Sequence, residues 1–154
     1  MIVIYTDGSS RGNPGPGGFG TVMKYKDLRK EISQGFRKTT NNRMELMAVI
    51  VGLESIKVEQ AKVKVYSDSK YVIDSVEKGW LWGWIKKGFK GKKNKDLWLR
   101  FANIYKKHQV SFQWVKGHAG IDENERCDQL AVDAAESPNE HLIDEAFEQG
   151  INNF

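Results

Sequence analysis

Little in this sequence could cross-link the chain or anchor it. The single cysteine, Cys127, excludes an internal disulfide framework and fits a reducing cytosol. Its helical surroundings predict a small buried residue rather than a nucleophile. No apolar run approaches the roughly 20 residues a membrane helix needs, and the opening MIVIYTDG lacks the basic and apolar layout of an export signal. A cytoplasmic chain with no membrane partner is therefore expected. There is no cysteine and histidine cluster with zinc spacing and no internal repeat.

What is present is charge, unevenly spread. The 154 residues suit one domain with a substantial core. The net charge of +4 conceals a basic body and an acidic end. Up to Ile121 there are 23 Lys and Arg against 10 Asp and Glu; from Asp122 onward 10 acids face only Arg126. A basic body suits a polyanionic partner, although solvated basic faces are common.

Hydrophobic patterning predicts an α/β domain with a mixed sheet. Ile2 to Thr6 reads as a strand ending at an Asp7-Gly8 turn, followed by a glycine and proline segment from Gly8 to Gly20. Thr21–Tyr25 and Glu31–Phe36 form a hairpin pair, and a helix runs from about Asn42 to Ile56. The alternating KVKVYS, Lys62 to Ser67, is a strand. Short tryptophan-rich helices follow between Ser69 and Lys87, then a helix near Lys95 to Lys107. Val110–Val115 is the last strand and Glu123–Glu136 the last core helix.

Four acids sit in distinctive local words: Asp7 in YTDGS, Glu45 in NNRMEL, Asp68 in YSDSK and Asp128 in NERCDQLA. If the strands bearing Asp7 and Asp68 are parallel neighbours, both carboxylates emerge at one sheet edge, where α/β sheets collect ligands. Glu45 lies in line with the small apolar residues Ala48, Val49 and Gly52, and an acid there should be neutralised, paired or metal-bound. Taken singly, each also has a structural reading: a turn, a helix cap, a first-turn glutamate, a polar helix edge. Together they form a hard oxygen ligand set suited to Mg²⁺, with Mn²⁺ able to substitute. Two such ions about 4 Å apart support in-line hydrolysis of a phosphodiester without a covalent enzyme intermediate. His118, in the glycine-flanked VKGHAG, is the candidate proton carrier.

The words TDGS, GNPGPGGFG, TTNNRMEL, SDSKYV, WVKGHAG and NERCDQLA occur in this order over residues 1–137. In this the chain resembles the bacterial type 1 ribonuclease H family. The resemblance implies a ribonuclease H-like fold: a five-stranded mixed sheet flanked by helices, with a basic helical protrusion, or handle, at about 78–107. It implies Mg²⁺-dependent hydrolysis of the RNA strand of RNA–DNA hybrids, giving 5′-phosphate and 3′-hydroxyl ends. By match, Asp7, Glu45, Asp68 and Asp128 hold two ions and His118 aids turnover. Asn13, Asn41 and Asn42 match minor-groove contacts, and Glu45 doubles as a partner of the RNA 2′-hydroxyl. Thr40 and Asn94, with Lys38, match a pocket for a phosphate of the DNA strand; Tyr71 and Trp80 match residues packing on DNA sugars. Lys86 and Lys87 belong to the basic handle, while Trp82, Trp84 and Trp98 read as core.

Some positions depart from that pattern. Lys70 stands where many relatives carry glutamine, Lys38 loses the bidentate geometry of an arginine, and the handle tip between Phe89 and Asn94 is short. These bear on affinity rather than chemistry. A separate hybrid-binding domain before Met1 is not expected, nor is high processivity. An inactive hybrid-binding module and a DNA strand-transfer or junction nuclease on the same fold are the competing readings. Residues 138–154 form an acidic tail, either a short docked helix through Leu142, Ile143, Ala146 and Phe147 or a disordered segment, contacting the basic body or another protein. A monomer is expected.

Overall fold

The computed structural model describes residues 1–116 and 120–150. Five strands form one sheet: β1 (Ile2–Ser10), β2 (Gly15–Tyr25), β3 (Leu28–Thr39), β4 (Lys62–Ser67) and β5 (Gln109–Trp114), in the order β3-β2-β1-β4-β5. The first three are antiparallel, while β4 and β5 run parallel to β1. Helices α1 (Asn41–Glu54), α2 (Lys70–Glu77), α3 (Trp80–Lys86), α4 (Lys95–Tyr105), α5 (Asp122–Ala135) and α6 (Glu145–Glu148) complete it. The five-stranded mixed sheet with flanking helices is thus the expected architecture. Among the described residues no helix is long and apolar enough to cross a membrane.

The first strand differs from its sequence reading. Asp7 does not end it: β1 continues to Ser10, and Asp7 pairs with Gly20 inside the ladder. The glycine and proline stretch, which reads as a loop, supplies half of β2 from Gly15 onward. The cause is close helix packing. A Cβ at Gly20 would lie 2.4 Å from the Cys127 carbonyl oxygen of α5. Low β-propensity is tolerated because a side chain there would push the helix off the sheet.

Successive strand residues point to opposite faces. Gly20 faces α5, whereas the next residue, Thr21, donates its hydroxyl to the Ala48 carbonyl of α1 at 2.8 Å. The two helices therefore cover opposite faces. Helix α1 is buried from Arg43 to Ile50, between the sheet and α4, which contributes Leu97, Trp98 and Phe101. Trp98 is core, as its spacing predicts, and Trp84 is half-buried beside it at 6.0 Å between ring centroids. Trp82 is not core: it is 39% exposed and leans on Tyr105.

The C-terminal segment lies along β3. A short 3-10 turn at Pro138–Glu140 follows α5, and Leu142 then exchanges backbone hydrogen bonds with Gly35 and Arg37, at 3.0 Å each. Among the described residues beyond it, Glu145–Glu148 are helical, and the buried anchor is a charged residue, Asp144, rather than the apolar set.

Candidate active site

Two strand registers and one helix bring three acids together. Tyr5 of β1 is level with Tyr66 of parallel β4, so Asp7 and Asp68, each two residues on, leave the sheet side by side. Glu45 comes from the first turns of α1, whose backbone crosses directly over Gly8. A Cβ at position 8 would stand 2.3 Å from the Glu45 nitrogen. Only glycine permits that approach.

Carboxylate oxygens of Asp7, Glu45 and Asp68 all lie within 4.8 Å of one another. Glu45 is 5% exposed. Burial, then the charge of Asp68, pushes Asp7 up to about 7, against the lowering pull of its bonds to Glu45 and the Gly8 amide. The Gly8 N–H donates to Asp7 Oδ1 at 2.9 Å. Burial and the charges of Asp7 and Asp68 raise Glu45 well above the carboxylate range. Among the described residues no ion pair reaches Asp7, Glu45 or Asp68. Carboxylates that crowd and lose solvent in this way, with no ion pair among the described residues, fit a hard divalent ion, which would favour the ionised forms of Asp7 and Glu45.

The acids line one cleft of about 250 Å³. Asp128 enters it from α5, outside the tight trio, and Asn124 lies one helical turn before it on the same wall. The Asn124 side-chain oxygen is buried and has no hydrogen-bond partner among the described residues. Asn124 was not among the sequence candidates; its four-residue spacing from Asp128 is the signal that could have raised it. His118 lies outside the described residues.

The other candidates fall around this cleft and beyond it. Asn41 lines the cleft itself, and Asn13 accepts the Asn41 backbone N–H at 3.0 Å. Thr40 caps α1, accepting from the Arg43 N–H at 3.3 Å. Lys38 and Asn42 are exposed, as are Lys86, Lys87 and Trp80. Tyr71 and Asn94 join through a hydrogen bond of 3.1 Å, with Asn94 in the left-handed region at φ 66°. Lys70 sits 4.3 Å above the Trp114 ring, which holds its amine on the β5 side.

Crowded carboxylates in one cleft at the edge of a mixed sheet suit a metal-dependent hydrolase of the nuclease class. The chain belongs to the ribonuclease H family, whose model, described as RNase H, matches residues 1–136. It is 57% identical over 143 residues to a ribonuclease H of Desulforamulus reducens, covering 90% of this chain and 89% of that protein. The fold is also similar to the crystal structure of LC9-RNase H1, a type 1 RNase H with the type 2 active-site motif. That likeness has TM-score 0.78 and 31% identity, covering 96% of this chain and 79% of the other. LC11-RNase H1, solved in complex with an RNA/DNA hybrid, aligns with TM-score 0.69 and 27% identity over 90% of this chain and 99% of that one.

Proposed function

We propose that this chain hydrolyses the RNA strand of RNA–DNA hybrids with two divalent ions, leaving 5′-phosphate and 3′-hydroxyl ends. The observation that carries the reading is the crowded, largely buried trio Asp7, Glu45 and Asp68, whose mutual repulsion Mg²⁺ would relieve. Asp128 completes the ligand set from α5. When bound, the ions supply Lewis acidity and an activated water.

The chain's own residues provide position and selectivity. Glu45, on the buried turn of α1, stands between the metal site and the ribose, so the residue that holds metal also meets the 2′-hydroxyl. Asn13 ties the loop before β2 to the start of α1, so Asn13, Asn41 and Asn42 meet the minor groove as one unit. Thr40, Asn94 and Lys38 receive a phosphate of the DNA strand, and Tyr71 and Trp80 pack on its sugars. Lys86 and Lys87 add phosphate attraction that weakens with salt. His118 carries a proton during turnover. Residues 1–137 form the catalytic domain with its handle at 78–107, and the working form is a cytoplasmic monomer.

The deciding experiment is cleavage of an end-labelled hybrid with Mg²⁺ or Mn²⁺, beside duplex DNA and duplex RNA. Cuts confined to the hybrid's RNA strand are expected. Cutting of duplex DNA, or an intact hybrid, contradicts the proposal.

A further inference from the structure

The family match stops at residue 136, yet the most fully compensated charge in the described chain depends on a residue beyond it. Asp144 is 5% exposed and Arg43 1% exposed. The Arg43 guanidinium donates through Nε to Asp144 Oδ2 at 2.7 Å and through Nη2 to Oδ1 at 2.8 Å. Thr39 Oγ1 also donates to Oδ2, at 2.7 Å. Nη1 and Nη2 both reach Asp96 at 2.8 Å. One further bond, from Nη1 to Asn94 Oδ1 at 3.3 Å, leads out of the cluster.

That bond sets a polarity. A guanidinium only donates, so the Asn94 amide must turn its oxygen to Arg43 and its NH₂ away. One amide hydrogen goes to the Tyr71 hydroxyl at 3.1 Å, which also accepts the Trp98 indole N–H at 2.8 Å. A phenol oxygen that accepts twice keeps its own O–H as a donor. The second amide hydrogen of Asn94 and the hydroxyl hydrogen of Tyr71 are then both available to an outside acceptor. Without Asp144 the guanidinium keeps its Asp96 bonds but loses those at Nε and Nη2, so the Nη1 donor that orients the amide is less firmly fixed.

We propose that Asp144 is a positioning residue for the DNA strand: by fixing Arg43, it holds the Asn94 amide as a donor toward a backbone phosphate and, through the Asn94–Tyr71 bond, keeps Tyr71 in place beside the neighbouring sugar. This rests on the reading of Asn94 and Tyr71 as DNA-strand contacts. It gives the C-terminal segment a part in substrate binding.

The test uses the full chain and hybrids in which one DNA phosphate at a time is replaced by a neutral methylphosphonate. In the parent chain one position should raise KM about five- to tenfold, the loss of one typical net hydrogen bond. Asp144→Asn should raise KM for the unmodified hybrid by a similar factor, with kcat changed less than about twofold, and should lose sensitivity at that one position. Thr39→Val, which removes one donor to Asp144 but keeps the ion pair, should show the same loss in lesser degree. Parent-like sensitivity in both variants overturns the proposal, as does a loss confined to kcat. A parent chain that cuts hybrids but responds equally at every DNA phosphate also overturns it. A parent chain that leaves hybrids uncut removes the underlying reading of function as well.

Discussion

Two residues less than one turn apart on α1 carry opposite solutions to the same electrostatic problem. Arg43 and Glu45 are both buried, and each faces two aspartates. Around Arg43 the charges are compensated, with bidentate geometry to Asp96 and to Asp144. Around Glu45 they are all of one sign, and the carboxyls of Glu45 and Asp7 are pushed upward in pKa. Burial is common to both, so burial alone does not mark a functional group. The difference lies in compensation: a buried charge with its partners present stabilises a fold, whereas buried like charges are held together by the fold at a cost.

Replacing the acids should affect chemistry most. Asp7→Asn and Asp68→Asn should each lower kcat at least about 10³-fold while hybrid binding, measured by fluorescence anisotropy, persists. Comparable losses of kcat and binding would erase the distinction between the two clusters. The compensated cluster should answer in stability. Arg43→Met takes the cation from the buried Asp144, and urea denaturation should show a loss of about 3–5 kcal/mol. A loss below about 1 kcal/mol would mean the ion pairs contribute little.

The pH response of the metal-free protein should be smaller and of definite sign. Asp7 titrates at about 7 in the fold against an ordinary 3.8, so between those values the folded state binds more protons than the unfolded state. Stability therefore falls as pH rises from about 4 to 7 and levels off above. Melting curves in EDTA should show that fall, by about 5 °C or more; Mg²⁺ or Asp7→Asn should flatten it. A rise with pH in EDTA would contradict the origin assigned to the shift. The smallest effect belongs to the surface. Glu31, held down to about 2 by Arg126 and Arg29, bonds Arg126 on α5 at 2.7 Å in full solvent. Glu31→Gln should cost less than about 1 kcal/mol by urea denaturation, and less still at high salt.

The two clusters also differ in how far sequence reveals them. Asp7, Glu45 and Asp68 stand in local words, and a parallel pairing of two obvious strands suffices to bring two of them together. Nothing local marks Arg43 and Asp144, which are 101 residues apart and joined only because the C-terminal segment runs along β3. The ends of β1 and β2 were misread for a related reason: glycines chosen for helix contact look like loop residues when the helix is unseen. Trp82 was misplaced because tryptophan spacing alone does not say which ring meets solvent. Asn124 was missed because its spacing from Asp128 carries meaning only once α5 is known to wall the cleft.

Cys127 offers something practical. Its side chain is fully buried, donates to the Tyr5 carbonyl at 3.2 Å, and is pushed up to about 12 by burial. With one thiol in the sequence and that thiol clamped between α5 and the sheet, a sulfhydryl reagent has no target until the helix lifts. The chain thus carries its own stopwatch: the rate at which a single adduct accumulates on the mass spectrometer times the opening of the wall that holds Asp128.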